Sequence, residues 1–239
     1  MLLRLGLILS ILLCATPAGA GHDADIDVRR ATPGLRLELD ELPPTAAQTT
    51  KRYRLHAYNY PRGVVFGVFT RNFGEPFEEI ASGFQVNEGG KLVSSGVLHS
   101  RRLEEMPFAP GPYPRGAAWE VALVSGDRNL LAFARIIPHP IAARDGACTV
   151  QLELVSFRGT HFVATGAGFA PGEEAIGELK YSGRVVEKRQ RISPEGLLPL
   201  NVLAHQPIGA DRNARYSVKA RSCTVTLDYE WGQSALVRR

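Results

Sequence analysis

No apolar pattern of helical period persists over three turns anywhere in this 239-residue chain. What recurs is alternation over strand-length runs, each closed by glycine, proline or polar residues. Alternation puts every second side chain on one face, which is the mark of a half-buried strand. Leu35-Arg36-Leu37-Glu38-Leu39-Asp40 alternates strictly and ends at Leu42-Pro43-Pro44. Arg52 to Tyr58 alternates again, with Tyr53, Leu55 and Ala57 opposite Arg52, Arg54 and His56. Val64 to Thr70 is apolar on both faces and reads as a central strand. Trp119 to Ser125 and Leu130 to Ile137 flank the polar turn Gly126-Asp127-Arg128-Asn129 and read as a hairpin.

The same plan returns after Pro138-His139-Pro140 and Asp145-Gly146. Cys148, Val150, Leu152 and Leu154 share parity and so share a face. Ile176 to Tyr181 and Arg184 to Ile192 form another hairpin across Ser182-Gly183. Pro194-Glu195-Gly196 then turns the chain into Leu197 to Ala204. Tyr216, Val218 and Ala220 alternate with Arg215, Lys219 and Arg221; Cys223, Val225, Leu227, Tyr229 and Trp231 share one face of the last strand. The expected class is all-β, with two tandem immunoglobulin-like β-sandwich domains at 25–140 and 145–233, since such sandwiches run about 100 residues each. Two stretches are irregular. Residues 71–90, punctuated by Gly74, Pro76, Gly83 and Gly89-Gly90, read as loop with short strand pieces and room for one helical turn at Pro76 to Ala81. Arg101 to Gly116 holds four prolines, so it is neither regular helix nor central strand.

Gly166-Ala167-Gly168-Phe169-Ala170-Pro171-Gly172-Glu173-Glu174 follows a strand-like run. Glycine permits angles that bulkier residues resist, and Pro-Gly favours a turn. The backbone should leave its strand at Gly166, bury Phe169 and turn at Pro171-Gly172. This stretch resembles the G-x-G-F-x-P-G-E segment of secreted bacterial immunoglobulin-like domains. Asn213-Ala214-Arg215-Tyr216-Ser217-Val218 resembles their penultimate strand, with a Tyr near its start, although the glycine usual just before it is absent. The resemblance covers residues 145–233 and implies architecture, not activity.

The N-terminus reads as a cleaved signal peptide, residues 1–20. Arg4 is followed by an apolar run from Leu5 to Leu13, and Ala18-Gly19-Ala20 fits small-x-small cleavage. The run is short of the roughly 20 residues that span a bilayer, and no later segment is apolar enough, so no transmembrane segment is expected after cleavage. The mature chain is expected in the periplasm or outside the cell. Cys14 leaves with the signal, and Cys148 and Cys223 remain as an even pair in an oxidising compartment. Each is followed by Thr-Val, and an immunoglobulin-like topology can set first and last strands side by side in parallel, which would bring the pair within reach of a disulfide. Two buried, reduced cysteines are the alternative.

Charge excludes little but points away from nucleic acid. Residues 21–143 carry 14 Lys/Arg and 14 Asp/Glu, net 0; residues 144–239 carry 13 and 10, net +3. Lys188, Arg189 and Arg191 form a short basic group that reads as a solvated strand face. No two histidines have zinc-ligand spacing, and no nucleophile elbow or phosphate-binding glycine fingerprint occurs. Asp23-x-Asp25-x-Asp27 fails as a calcium loop, because Val28 and Gly34 stand where Gly and Glu are needed. The adjacent acids Glu78-Glu79, Glu104-Glu105 and Glu173-Glu174 would point to opposite strand faces and make no dyad by themselves. No cofactor or metal is expected, unless cleavage after Gly21 freed His22 to begin a copper brace that lacks a visible second histidine. The binding hint is aromatic: Phe73, Phe77 and Phe84 in the first irregular stretch, Phe108 and Tyr113 in the second. Such rings either present a recognition surface or cap the sandwich ends. The expected function is a non-catalytic exported protein that binds an unknown protein or glycan, or serves as an envelope scaffold. The alternative is a carbohydrate-binding or carbohydrate-active protein.

N-terminal sequencing of the exported product is expected to begin at Gly21. Retention of residues 1–20 in a membrane fraction would contradict cleavage.

Overall fold

Leu37, Tyr53 and Leu55 are buried while Arg36 and Arg54 are exposed, so the first alternating runs do lay one face on a core. In the computed structural model the described residues are 26–44, 50–95, 100–206 and 212–238. The signal-like segment, Cys14, His22 and His99 lie outside them. The first half contains β1 (Arg36–Glu41), β2 (Tyr53–Tyr58), β3 (Phe66–Arg71), β4 (Phe77–Val86), β5 (Leu92–Ser95), β6 (Ser100–Arg102), β7 (Pro107–Phe108), β8 (Trp119–Ser125) and β9 (Leu131–Ile136). The second contains β10 (Ile141–Asp145), β11 (Cys148–Leu154), β12 (His161–Ala167), β13 (Glu174–Tyr181), β14 (Arg184–Arg191), β15 (Leu198–Ala204), β16 (Asn213–Ala220) and β17 (Thr224–Glu230).

These strands form four antiparallel sheets. In the first half β1-β2-β7 faces β6-β5-β4-β3-β8-β9; in the second β10-β11-β12-β15 faces β14-β13-β16-β17. Core rings meet across each pair of sheets: Tyr53 stands 5.7 Å from Trp119, and Phe162 stands 4.9 Å from Tyr229. The two halves share one connectivity. β1-β2-β7 matches β11-β12-β15, and β4-β3-β8-β9 matches β14-β13-β16-β17. Both are Greek-key sandwiches of immunoglobulin type, with β5 and β6 added to the first and β10 to the second.

The glycine-rich segment behaves as its residues require. β12 ends at Ala167, Phe169 is buried, and Glu173 N–H donates to Ala170 O at 3.3 Å across Pro171-Gly172. Gly168 has φ +82°, and a side chain there would overlap the Ala147 carbonyl. The Glu173 carboxylate accepts from Ala170 N–H and from both the backbone and the hydroxyl of Ser222. The Ser222 bond, first among these, holds its carboxyl below the usual range. Glu173 thereby pins the turn to the β16–β17 connection.

Three expectations change. Residues 77–86 form one long strand, β4, not loop or helical turn. Its pairing with β3 slips twice, between Phe66 and Val68 and between Val68 and Phe69. Phe77 and Phe84 are an odd number of positions apart and the two slips cancel in parity, so Phe84 joins the main core while Phe77 packs on the opposite face with Phe69 and Val124, beside Ile26 and Val28. Bulges leave no periodic trace in a sequence. Ile141 to Asp145, expected as linker in part, forms β10 and pairs with β11. Finally, Cys148 and Cys223 stand at disulfide distance, with Cα atoms 6.5 Å apart, but not through parallel pairing of the first and last strands. β11 is hydrogen-bonded on both sides, by β10 and β12, so it has no edge for β17. The bridge instead joins the two facing sheets, beside a Thr224 N–H bond to Asp145 Oδ2 at 2.8 Å.

The double substitution Cys148→Ala with Cys223→Ala is expected to lower the unfolding free energy by roughly 4 kcal/mol, the chain-entropy value for so long a loop. Urea melts of the oxidised parent and the double variant measure it. Coincident midpoints would show that the bridge does not constrain the unfolded chain.

Candidate functional site

Cross-strand register builds the most site-like part of the molecule. In the six-stranded sheet Arg71 lies opposite Glu120, and Glu120 lies opposite Arg135. Opposite charges at directly paired positions attract, so the three side chains form one row. Arg71 Nε donates to Glu120 Oε2 at 2.5 Å, and Arg135 Nε lies 3.4 Å from Glu120 Oε1. The row then leaves the first sandwich. Both terminal nitrogens of Arg135 reach Glu153 of β11, Nη1 to Oε2 at 2.8 Å. This bidentate pair raises the Arg135 pKa further above its ordinary value, the Glu153 bond being the main cause.

Around this row lies a cleft of about 460 Å3 between the sandwiches, lined by residues from the β3–β4 turn, β8, β9 and the end of β11. Phe73 stands at one wall and meets Phe157 edge-on at 5.3 Å. The Phe157 ring also covers Gly74 and is 69% exposed. Asn72 donates to Glu75 at 2.7 Å, and Glu75 also pairs with Arg238 at 3.2 Å, which ties the C-terminal segment to the same wall.

Of the four aromatic residues proposed for binding loops, only Phe73 reaches this cleft. Phe77, Phe108 and Tyr113 are buried, so the core-packing alternative describes them. Phe77 lies under the Arg71 guanidinium, 4.5 Å from its ring centre. Phe108 belongs to β7. Tyr113 belongs to the main core and donates to Ala118 O at 2.8 Å, and burial pushes its phenol pKa upward. Residues 71–76 are where the sequence placed them. Glu120, Arg135, Glu153 and Phe157 carried no signal, because each matters only through a partner far along the chain.

A slightly larger open groove, about 500 Å3, lies at the β13–β14 hairpin. Its rings, Tyr181 and Tyr229, are buried, Lys180 pairs with Glu178 and Arg215 with Asp228, and Arg184 donates to the Gln206 amide oxygen. The basic group on β14 is likewise engaged within the fold. Lys188 donates to Asn201 Oδ1, Arg189 pairs with Glu174, and Arg191 donates to Gly172 O. Among the described residues no group of three or more His, Cys, Asp or Glu could hold a metal ion. Among them also, no helix is long and apolar enough to cross a membrane.

His205 is the one deeply buried histidine described. It stacks on Trp231 at 5.3 Å and meets Tyr181, Phe162 and Tyr229 edge-on. Its Nδ1 faces Thr160 O at 3.2 Å and its Nε2 faces Tyr229 Oη at 2.9 Å. A carbonyl only accepts, so Nδ1 carries the proton and Nε2 accepts from the phenol. Every polar atom of the ring is occupied, which makes it a core element.

No family model matches the chain, and no curated protein matches it. Among solved structures it is similar to a tetra-tandem repeat in the extending region of a large adhesion protein, at 14% identity and a TM-score of 0.28, over 83% of this chain and 49% of that one. The chain spans about half the length of that structure.

Burial lowers the His205 pKa from 6.5 to about 4. The unfolded chain therefore binds a proton that the folded chain refuses between these values. Stability should be full above pH 6.5 and fall as pH drops toward 4, by up to about 3 kcal/mol from this residue. Urea melts across that range, compared with His205→Phe, measure it. An equal pH slope in both chains would remove His205 as the cause.

Proposed function

We propose that this chain is a non-catalytic protein related to the exported bacterial immunoglobulin-like proteins, periplasmic or extracellular, which binds another macromolecule in the cell envelope or spaces its components. The observation that carries this reading is the junction cleft. It gathers an exposed ring and four charged groups from both sandwiches, and it engages each floor carboxylate with arginine. Carboxylate catalysis needs one group free to give or take a proton at the substrate. Glu120 and Glu153 instead turn their oxygens to guanidinium groups. Such paired groups suit recognition and a fixed angle between the sandwiches.

The domain division fits this reading with the boundary between β9 and β10. Hydrogen-bonded strands stay within each half, and backbone and core contacts join the halves. A hydrolase working between the sandwiches is the second reading, favoured only by the nearness of Glu120 and Glu153 around Arg135.

The test is co-sedimentation of the mature protein with isolated envelope fragments, with the supernatant assayed for released sugars and peptides. Saturable binding without release is the expected outcome. Release that disappears in Glu120→Gln or Glu153→Gln would establish the hydrolase instead, and failure to sediment would remove the binding role.

A further inference from the structure

Phe157 and the charged row together restrict what the junction cleft can hold. The Phe157 ring is ordered by its contacts with Phe73 and Gly74, yet most of its surface faces water. Val155 beside it is also exposed. This apolar patch is small, too small for a peptide anchored by several apolar side chains, and it borders a strongly polar floor.

The floor carries Arg71 and Arg135 against Glu120 and Glu153, and the wall adds the Glu75–Arg238 pair, so the charges sum to zero. A phosphate, a uronate or a basic peptide gains little net attraction there. Hydrogen-bonding capacity nevertheless remains. A carboxylate offers about four acceptor sites and a guanidinium five donors, more than the ion pairs use. Donors and acceptors alternate along the row, and their mutual pairing holds them in place before any ligand arrives. The matching ligand has a flat apolar face and adjacent groups that both donate and accept. A pyranose ring has both, in its C–H face and its hydroxyls. The cleft volume, about 460 Å3, falls within the range of ligand clefts.

We propose that the junction cleft binds an uncharged oligosaccharide, one sugar ring stacked on Phe157 and its hydroxyls hydrogen-bonded to the Arg71–Glu120–Arg135–Glu153 row. This rests on the binding role proposed above and names its ligand class. Phe157 is the stacking platform, and Glu153 and Arg135 set the position of the hydroxyls.

The test is calorimetric titration of the mature protein with neutral hexasaccharides of glucose and of N-acetylglucosamine, and with a hexagalacturonate as the charged counterpart. At least one neutral sugar should bind saturably and the uronate more weakly. Phe157→Ala should weaken the neutral sugar by about tenfold at unchanged melting temperature, and Phe157→Trp should restore it. Chemical-shift changes at the Phe157 ring in the unsubstituted protein give a reading that needs no variant. Preference for the uronate, absence of binding to every neutral sugar, or binding indifferent to Phe157 would each overturn the proposal. A separate arm uses envelope fragments. Binding that survives periodate oxidation of the glycans but is lost after protease treatment would identify a protein partner, overturning the glycan while leaving the binding role intact. Loss of all sedimentation would remove both.

Discussion

Gly116 is where the two sandwiches are fastened. Its carbonyl accepts from Leu154 N–H at 2.9 Å, and its own N–H donates to His139 O at 2.8 Å. Its φ is +77°, and a Cβ there would crowd Ile141 and the Leu152 carbonyl. Only glycine lets one backbone approach another so closely in that conformation. Beside it Ala117 forms an isolated parallel bridge to Leu154, and both are buried. The core consequently continues from one sandwich into the next, and the cleft above it keeps a defined width.

The charged row depends on that fastening. Arg71, Glu120 and Arg135 belong to one sheet, and the fourth member, Glu153, arrives only because β11 is held against β8 through Gly116 and Leu154. Exposed ion pairs add little stability singly, but bidentate geometry and linkage into a row give position. The cleft therefore draws its order from two sources, main-chain contact below and paired side chains above.

Two buried polar side chains inside the second sandwich are held in the same way, although Gln190 Nε2 and Trp231 Nε1 have no hydrogen-bond partner among the described residues. Asn201 is buried between sheets, donates to Tyr216 Oη at 3.0 Å and Gln190 Oε1 at 2.8 Å, and accepts from Lys188. His205 is satisfied by Thr160 and Tyr229. Buried polar groups that find partners cost little and fix a single packing, whereas an unmatched one would cost about 1–3 kcal/mol. The Asn201 network links β14 and β15, edge strands of the facing sheets.

Side-chain parity is a local property, and it was legible. Leu37, Tyr53 and Leu55, then Val150, Leu152 and Leu154, then Val225, Leu227, Tyr229 and Trp231, are buried as their alternation requires. Phe169 sinks into the core because glycines and Pro-Gly bend the chain around it. The cysteine pair was legible from count and compartment, but its route between sheets was not. That route depends on β10 taking the free edge of β11. The cleft was legible only at Phe73. Its other members are spread from Arg71 to Phe157, and pairing across strands cannot be read from any one of them. β4 was not legible as one strand, since its pairing with β3 slips twice, yet Phe77 and Phe84, an odd number of positions apart, still go to opposite faces of the sheet. The sequence by itself determined the regularly alternating strands and which side of them is apolar, because both depend on neighbours one or two residues away. Tertiary structure alone decided register, the junction and the site, because those depend on which strand edges remain free when the chain closes on itself.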